Sequence, residues 1–167
     1  MDHAIDLPTP TSPAMRTALG RFATGVTIIT CLDTQGHPTG LTANSFAALS
    51  LAPPLVLWSL RHVSPSLAAF RACSHFAVNV LADTQVDLSR RFASSQPDKF
   101  SVGHWAAGQS GVPVLAGCAA VFECLSLSQQ DAGDHALFIG QVLRLDDQGV
   151  SPLLFQAGHY RLLGEIL

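Results

Sequence analysis

Charged side chains are scarce in this chain of 167 residues. Asp, Glu, Lys and Arg together make up 13% of it, about half of the usual share of roughly 25%. So few charges leave much apolar surface uncovered, which predicts that part of the surface is buried against a second subunit. The nine Lys and Arg residues are scattered and the formal net charge is -3, so a phosphate backbone finds no basic stripe. We therefore expect no nucleic-acid partner.

Long apolar runs are missing as well. None reaches the roughly 18 to 20 residues that a membrane-spanning helix requires, because Pro53 and Pro54 interrupt the longest candidate. The N-terminus carries Asp2 and Asp6 where a secretory signal has basic residues, and no apolar segment follows them. These absences predict a soluble, cytoplasmic protein with no membrane partner.

The sequence signatures of several large enzyme classes are also absent. The chain has no P-loop, no Rossmann glycine motif, no zincin motif and no nucleophile elbow. Its four cysteines include no C-x-x-C pair and its seven histidines include no pair at i, i+4, so we expect no metal site. The strand-like surroundings of Cys31 and Cys124 predict buried structural thiols.

The remaining patterns predict one domain, residues 13–167, after a flexible tail, residues 1–12, that is rich in proline and threonine. Helical periods follow Ser12, Ser64 and Asp83, and residues 94–113 show no period and are predicted to form a long loop. Strands are predicted at 26–32, 55–60, 75–81, 119–127 and 136–143. Because strands outnumber helices and adjoin through short turns, an antiparallel Greek-key barrel with a few surface helices is favoured over βαβ repeats.

Residues 40–60 contain small polar side chains inside a strand-like apolar run. Thr42, Asn44 and Ser45 can offer hydrogen bonds to a planar, neutral ligand. Ala43 allows close approach of the main chain to such a ligand. An ordinary polar strand edge explains the same residues equally well.

Other candidates for ligand contact are spread along the chain. Ser64 and Ser66 stand where a helix is predicted to begin and can bind a phosphate, although serine there is more often only a cap. Arg91, late in the next helix, can bind a phosphate or complement the helix dipole, and Lys99 leaves a similar choice. His135 lies at the mouth of a predicted strand, where an imidazole can meet a ligand.

Several motifs occur together in an order typical of one family. They are Phe22-Ala23-Thr24-Gly25-Val26-Thr27, the segment 40–60, Phe76-Ala77-Val78-Asn79-Val80-Leu81, Leu88-Ser89-Arg90-Arg91-Phe92-Ala93, Asp98-Lys99-Phe100, Gly133-Asp134-His135 with Gly140 and Val142, and Gly158-His159-Tyr160. With these motifs the chain resembles the flavin reductase-like family over about residues 13–163. This family comprises short-chain NAD(P)H:flavin oxidoreductases that serve two-component flavin monooxygenases.

The resemblance implies a mainly β fold, the FMN-binding split barrel. This is a six-stranded antiparallel Greek-key barrel that forms a homodimer with flavin near the subunit interface. The positions that the resemblance implies for the isoalloxazine ring and ribityl chain are Thr42, Ala43, Asn44 and Ser45, with Ser50 and Ser59 nearby. Those that it implies for the phosphate end are Ser64, Ser66, Arg91 and Phe92.

The resemblance also implies an activity. NADH or NADPH would reduce FMN or FAD, with His135 as the catalytic residue beside the nicotinamide, and the reduced flavin would pass to a separate oxygenase. A non-catalytic flavin-binding or flavin-storage protein is the main alternative. A dimeric module that binds protein through the polar strand edge is a further one. The residues do not choose between FMN and FAD or between NADH and NADPH.

Overall fold

A computed structural model describes residues 11–166 and shows a mainly β fold, as predicted. Its strands are β1 Thr24–Gly25, β2 Thr27–Leu32, β3 Pro38–Ala43, β4 Ala47–Leu51, β5 Pro54–Arg61, β6 His75–Val80, β7 Trp105–Ala107, β8 Pro113–Leu115, β9 Ala120–Ala132, β10 His135–Asp147, β11 Leu154–Gln156 and β12 His159–Arg161. Its α-helices are α1 Ser12–Leu19, α2 Leu67–Ala72 and α3 Val86–Ala93, and short 3-10 helices cover Asp83–Gln85 and Lys99–Ser101.

The predicted flexible tail, residues 1–12, lies mostly outside the described residues. Its last two residues begin α1, where the Thr11 hydroxyl accepts a hydrogen bond from the Ala14 N–H at 3.4 Å. The N-cap is therefore Thr11, so the helix begins one residue earlier than the helical period after Ser12 predicts. Pro13 stands in the first turn, where its missing N–H costs no hydrogen bond.

Seven antiparallel strands form the main sheet, in the order β3-β2-β6-β9-β10-β5-β4. The two edge strands of this order, β3 and β4, are consecutive in the chain and are joined by residues 44–46. Residues 38–51 thus change partner midway, since β3 pairs with β2 and β4 pairs with β5. The predicted six-stranded antiparallel barrel is therefore wrong for residues 11–166: the main sheet has seven strands, and its edge strands β3 and β4 have no ladder between them.

Four aromatic side chains form the centre of the core beneath β5 and β10. Trp58 stacks on Phe138, its register partner, with ring centroids 4.6 Å apart and an interplanar angle of 13°. Phe70 of α2 and Phe76 of β6 meet Trp58 edge-on at 4.8 Å and 5.9 Å. All four rings are buried, so their contact area and their edge and stacking geometry stabilise this part of the sheet.

The segment 94–113 is more ordered than the predicted loop. It contains the Lys99–Ser101 turn and strand β7, which pairs with β8. Phe100 and Trp105 pack against Phe92 of α3, with ring centroids 5.1 Å and 5.3 Å from that of Phe92. Aromatic packing gives this segment a defined course although its sequence has no period.

The cysteines are free thiols, and the predicted burial of Cys31 and Cys124 is confirmed. Burial raises the pKa of the Cys124 thiol to about 12, so this thiol stays protonated and unreactive at neutral pH. Within residues 11–166, the helices are all too short to cross a membrane.

Gly140 of β10 supplies a test of the core packing. A Cβ at position 140 would overlap the ring of Phe76 and lie 3.1 Å from the Cβ of Cys124. Phe76 is buried and cannot move away without disturbing Trp58. We expect Gly140→Ala to lower the free energy of unfolding by about 1–3 kcal/mol in urea denaturation.

Gly25→Ala is the matched control, because a Cβ at position 25 would meet no atom within 4 Å. Its effect should stay within about 0.5 kcal/mol. Equal losses in the two variants would contradict the close contact between Gly140 and Phe76.

Candidate functional site

A cavity of about 1190 Å³ opens at one end of the main sheet. Its volume exceeds the roughly 300–1,000 Å³ of ordinary small-molecule sites, so it has room for more than one small ligand. Its wall consists of the continuous run 38–45, parts of 59–66 and 92–101, and His135. The candidate site therefore combines an edge strand, a strand end with its following loop, and the turn after α3.

Strand β3 forms the floor of the cavity with an edge that no other strand covers. Only β2 pairs with β3 within the main sheet. In an antiparallel edge strand, every second residue directs its N–H and C=O away from its partner. Unpaired main-chain donors and acceptors are thus available along the cavity, as recognition of a flat ligand with polar edges requires.

Gly40 lets the opposite wall approach this floor. A Cβ at position 40 would lie 3.0 Å from Cε1 of Phe92 and 3.2 Å from Cζ of Phe100. Both rings belong to the aromatic cluster that fixes the turn after α3. The absence of a side chain at position 40 therefore sets how closely the rings of Phe92 and Phe100 approach β3.

The Ser45 hydroxyl links the connection between β3 and β4 to strand β5. It donates to the C=O of Ser59 at 2.9 Å and accepts from the N–H of Ser59 at 3.0 Å. Ser45 and Ser59 continue the register in which Ala47 pairs with Leu57. The side chain thus replaces the ladder hydrogen bonds at the point where the main chain leaves β5, and it holds residues 42–45 against the cavity.

The polar groups of this floor differ in whether they are free to bind a ligand. Thr42 donates its hydroxyl hydrogen to the C=O of Ser89 at 2.7 Å, and the C=O of Ala43 accepts from the Thr27 hydroxyl at 2.7 Å. The Asn44 side chain is exposed at the cavity and has no hydrogen-bond partner among the described residues. Asn44 is therefore the side-chain amide of this floor that is free to bind a ligand.

The loop after β5 presents two serine hydroxyls. Ser64 accepts a hydrogen bond from the N–H of Ser66 at 3.3 Å, which fixes the turn before α2. The Ser66 side chain makes no capping hydrogen bond to α2. Both serines line the cavity, so their hydroxyls can donate to a ligand.

His135 begins β10 at the mouth of the cavity, directly opposite Arg61 of β5. Its Nδ1 lies 2.7 Å from Oδ1 of Asp134. The hydrogen bond from His135 holds the pKa of the Asp134 carboxyl below its usual range, so this carboxylate stays ionised at neutral pH. Because an ionised carboxylate only accepts hydrogen bonds, Nδ1 carries the proton and Nε2 is left for a ligand.

The hairpin tip that carries His135 is tied to the loop after β5. The N–H of His62 donates to the C=O of Asp134 at 2.9 Å. The Asp131 carboxylate accepts hydrogen bonds from Arg71 of α2 and from Nε2 of His62. The hydrogen bond from Arg71 is the main reason that the pKa of Asp131 is lowered. These bonds keep the His135 side of the cavity at a fixed distance from Ser64 and Ser66.

The structure brings most of the predicted site residues together and leaves two outside. Those that line the cavity are Thr42, Ala43, Asn44, Ser45, Ser59, Ser64, Ser66, Phe92 and His135. Ser50 lies on β4 beyond a bulge at Leu49, away from the cavity. Arg91 lies behind the wall and donates to main-chain carbonyls of Asp98 and Lys99.

Sequence reasoning missed Arg61, Ser94 and Ser95, which also line the cavity. The register between Arg61 and His135 is the signal that identifies Arg61, and it exists only once β5 and β10 are paired. Lys99, ambiguous in the sequence, reaches the cavity wall. Its partial burial lowers the pKa of its ammonium group.

The chain matches a known family over nearly its whole length. A family profile described as "Flavin reductase like domain" matches residues 19–164. The chain is 44% identical to "FMN reductase (NADH) SmoA" of Agrobacterium fabrum, covering 89% of this chain and 84% of that protein. It is 46% identical to "Flavin-dependent monooxygenase, reductase subunit HsaB" of Rhodococcus jostii, covering 87% of this chain and 74% of that protein.

A solved structure shows the same fold. "NADH:FAD oxidoreductase SgcE6 in complex with NAD and FAD fragments", from Streptomyces globisporus, superposes with a TM-score of 0.88 at 34% identity and covers 95% of this chain and 97% of that chain. Two further relatives, both from Rhizobium meliloti, are longer proteins, of which the chain spans 50% and 64%.

Replacement of Ser45 tests the link between the β3–β4 connection and strand β5. Ser45→Ala leaves the N–H and C=O of Ser59 without their partner, so we expect the free energy of unfolding to fall by about 1–2 kcal/mol. Ser50→Ala is the matched control, because the Ser50 hydroxyl makes no hydrogen bond within the described part of the chain. Thermal and urea denaturation of both variants measure the difference, and a control as unstable as Ser45→Ala would contradict the assignment.

Proposed function

The chain belongs to the flavin reductase-like family, and on that premise we propose that it reduces FMN or FAD with NADH or NADPH and supplies the reduced flavin to a separate oxygenase. One observation carries the proposal. The hydrogen bond from Ser45 to Ser59 holds residues 42–45, the polar part of the cavity floor, next to β5. Ser59 lies two residues before Arg61 on that strand, and Arg61 pairs with His135. Two strand residues span about 7 Å, so a flat ring on residues 42–45 has His135 near its edge.

The donor groups of the cavity fit a flavin nucleotide. The exposed edge of β3 and the free amide of Asn44 suit the polar edges of the ring system. The hydroxyls of Ser64 and Ser66 and the cationic side chains Arg61 and Lys99 suit phosphate groups. No single one of these groups is specific, but together they match a neutral planar ring joined to an anionic tail.

The relatives of the chain support the same proposal. One relative is an FMN reductase that uses NADH, and the superposed structure is an NADH:FAD oxidoreductase that holds NAD and FAD fragments. Another relative is the reductase subunit of a flavin-dependent monooxygenase. These relatives support flavin as substrate or cofactor, NADH as reductant, and an oxygenase as the recipient of reduced flavin.

Bound flavin would supply the redox chemistry as the acceptor of a hydride from the reduced nicotinamide. The chain supplies orientation. Residues 42–45 are held by the ladder to β2 and by Ser59 before a ligand arrives, so their N–H groups can stabilise negative charge that develops on the ring. Asp134 holds His135 with Nε2 free to orient the nicotinamide at the cavity mouth.

Replacement of His135 tests the catalytic assignment. The wild-type protein, mixed with NADH and FMN or FAD without oxygen, should bleach the visible absorbance of the flavin. In His135→Ala the flavin affinity should change less than about threefold, whereas the rate of flavin reduction should fall on the order of 10²-fold, because the nicotinamide loses its orientation.

His104→Ala is the control, since His104 is exposed and does not line the cavity. An unchanged rate in His135→Ala would refute the role of this histidine. Wild-type protein that binds flavin but never oxidises NADH would identify the alternative, a flavin-binding or flavin-storage protein.

We also propose that the chain forms a homodimer through the outward face of β5 and β10. The outward side of β5 and β10 carries a row of half-buried apolar residues, in which Leu57 pairs with Ile139 and Leu137 pairs with Ser59. The row ends at Arg61 and His135, so a second subunit that covered this row would also cover the mouth of the cavity.

Light scattering after size-exclusion chromatography tests the dimer. The wild-type mass should be twice the 17.6 kDa of the chain. Ile139→Lys places a charge in the middle of the apolar row and should yield monomers, because burial of an unpaired charge is costly. Val102→Lys, an exposed position in the turn after Ser101, should remain dimeric. A dimeric Ile139→Lys protein would exclude this face as the interface.

A cytoplasmic location is also part of the proposal. All four cysteines are free thiols. Free thiols suit the reducing compartment in which disulfides are rare.

A further inference from the structure

Two cysteines lie side by side at the point where α2 leads into β6. Cys31 is on β2, and its register partner is Phe76 of β6. Cys73 is the C-cap residue of α2 and comes two residues before β6 begins. Its side chain packs against the buried cluster that contains Cys31, and the Cys31 thiol donates a hydrogen bond to the Cys73 sulfur. The fold therefore brings together two thiols that are distant in the sequence.

The surroundings of the two sulfurs give them different reactivity. Cys73 Sγ donates to the C=O of Phe70 at 3.3 Å, so its lone pairs are left for Cys31. Cys73 is half-buried, whereas Cys31 is fully buried. The hydrogen bond from Cys31 lowers the pKa of the Cys73 thiol, although burial acts in the opposite direction. The same hydrogen bond and burial raise the pKa of Cys31. The reactive thiolate is therefore the one at Cys73, the more accessible position.

The other two cysteines lack these features. Cys118 and Cys124 are both buried. Burial raises the pKa of each thiol to about 12, so both stay protonated at neutral pH. An oxidant is therefore expected to select the pair at the end of α2.

From this juxtaposition we infer that Cys31 and Cys73 form a redox site, in which hydrogen peroxide oxidises Cys73 and Cys31 then closes a disulfide bond. The Cys73 thiolate attacks peroxide, an S–O bond forms, the O–O bond breaks and hydroxide leaves. That hydroxide and the proton released by Cys73 give one water. The Cys31 sulfur then displaces the sulfenic oxygen, which leaves with the Cys31 proton as a second water. Two electrons pass from the two thiols to one peroxide.

The proposed activity is itself a source of this oxidant. The reaction of released reduced flavin with oxygen yields oxidised flavin and hydrogen peroxide when no oxygenase captures the flavin. Peroxide would therefore accumulate whenever the chain reduces flavin faster than its recipient consumes it. This link, and any effect on activity, rests on the proposed function, whereas the thiol chemistry requires no flavin.

The disulfide would close a chain segment that carries much of the cavity wall. Residues 38–45 and parts of 59–66 line the cavity, and both ranges lie between the two cysteines. Hydrogen-bonded sulfurs must approach each other to about 2 Å before they are bonded. Cys31 is held by ladders on both sides, to β3 and to β6. The end of α2 must therefore make most of this movement.

Movement of α2 would reach the His135 side of the cavity. Arg71, in the last turn of α2, donates a hydrogen bond to the Asp131 carboxylate. Its C=O accepts a hydrogen bond from the Gln129 side chain at 3.0 Å. Both partners belong to β9, which pairs with β10 up to His135. We therefore expect the disulfide to displace His135 and to slow flavin reduction.

Thiol counting after peroxide treatment tests the redox site. The reduced full-length protein, treated with hydrogen peroxide in the absence of flavin and NADH, should fall from four titratable thiols to two. Peptide mapping should find Cys31 joined to Cys73, and dithiothreitol should restore all thiols. Cys73→Ser should keep its remaining thiols under the same treatment. In Cys31→Ala the sulfenic acid at Cys73 should persist and react with dimedone, because the second thiol is missing.

Cys118→Ala is the matched control, since it removes a buried thiol outside the pair. It should form the disulfide at a rate within about twofold of that of the wild type. Retention of all four wild-type thiols would overturn the inference. A disulfide that includes Cys118 or Cys124, or one that joins two copies of the chain, would also overturn it.

Flavin reduction by NADH, measured after removal of peroxide, tests the effect on the cavity. The rate of the oxidised wild type should fall about 3- to 10-fold, because a small displacement of an orienting group slows a reaction. It should recover after reduction with dithiothreitol, and peroxide-treated Cys73→Ser should keep its rate. An unchanged rate in the oxidised wild type would overturn the effect on activity. A chain that forms the disulfide but never oxidises NADH would overturn the proposed function and leave the redox site standing, so the two failures are distinguishable.

Discussion

The hydrogen bonds between the Ser45 hydroxyl and the Ser59 main chain are the constraint on which the candidate site depends. Residues 38–51 supply both edges of one sheet, so the chain must leave the β2 ladder and join the β5 ladder within three residues. A main-chain ladder cannot follow so sharp a change, and one hydroxyl that both donates and accepts replaces it. Because these hydrogen bonds fix the junction, residues 42–45 lie near His135 in the cavity.

The two walls of the cavity are stabilised by different physics. On the His135 side, Asp131 and Asp134 hold the hairpin tip through charge-assisted hydrogen bonds at the surface. On the opposite side, the rings of Phe92 and Phe100 pack against Gly40, and Arg91 fixes the turn above them. Salt and pH therefore mainly affect the stability of the wall that carries His135, whereas changes of side-chain volume mainly affect the stability of the opposite wall.

The sequence predicts what is local and misses what depends on pairing between distant segments. The β-branched run of β2 and the presence of strands β9 and β10 were predicted correctly, although β9 and β10 extend further, because their apolar patterns are contiguous. The change of partner at residues 44–46 has no local signal. Ser50 lies outside the cavity because the bulge at Leu49 alters the alternation of faces along β4. Arg91 has the expected place in its helix, but its partners depend on the left-handed conformation of Asp98.

The open edge of β3 has a consequence for the behaviour of the protein in solution. An uncovered strand edge is a template on which another chain can add a strand, and proteins usually protect such edges with charges, prolines or bulges. Here Pro38 protects only the first residue, and the rest of the edge is the floor of the cavity. Ligand recognition and exposure to strand addition thus reside in the same main-chain groups, so a ligand bound along this edge would also shield it from a second chain.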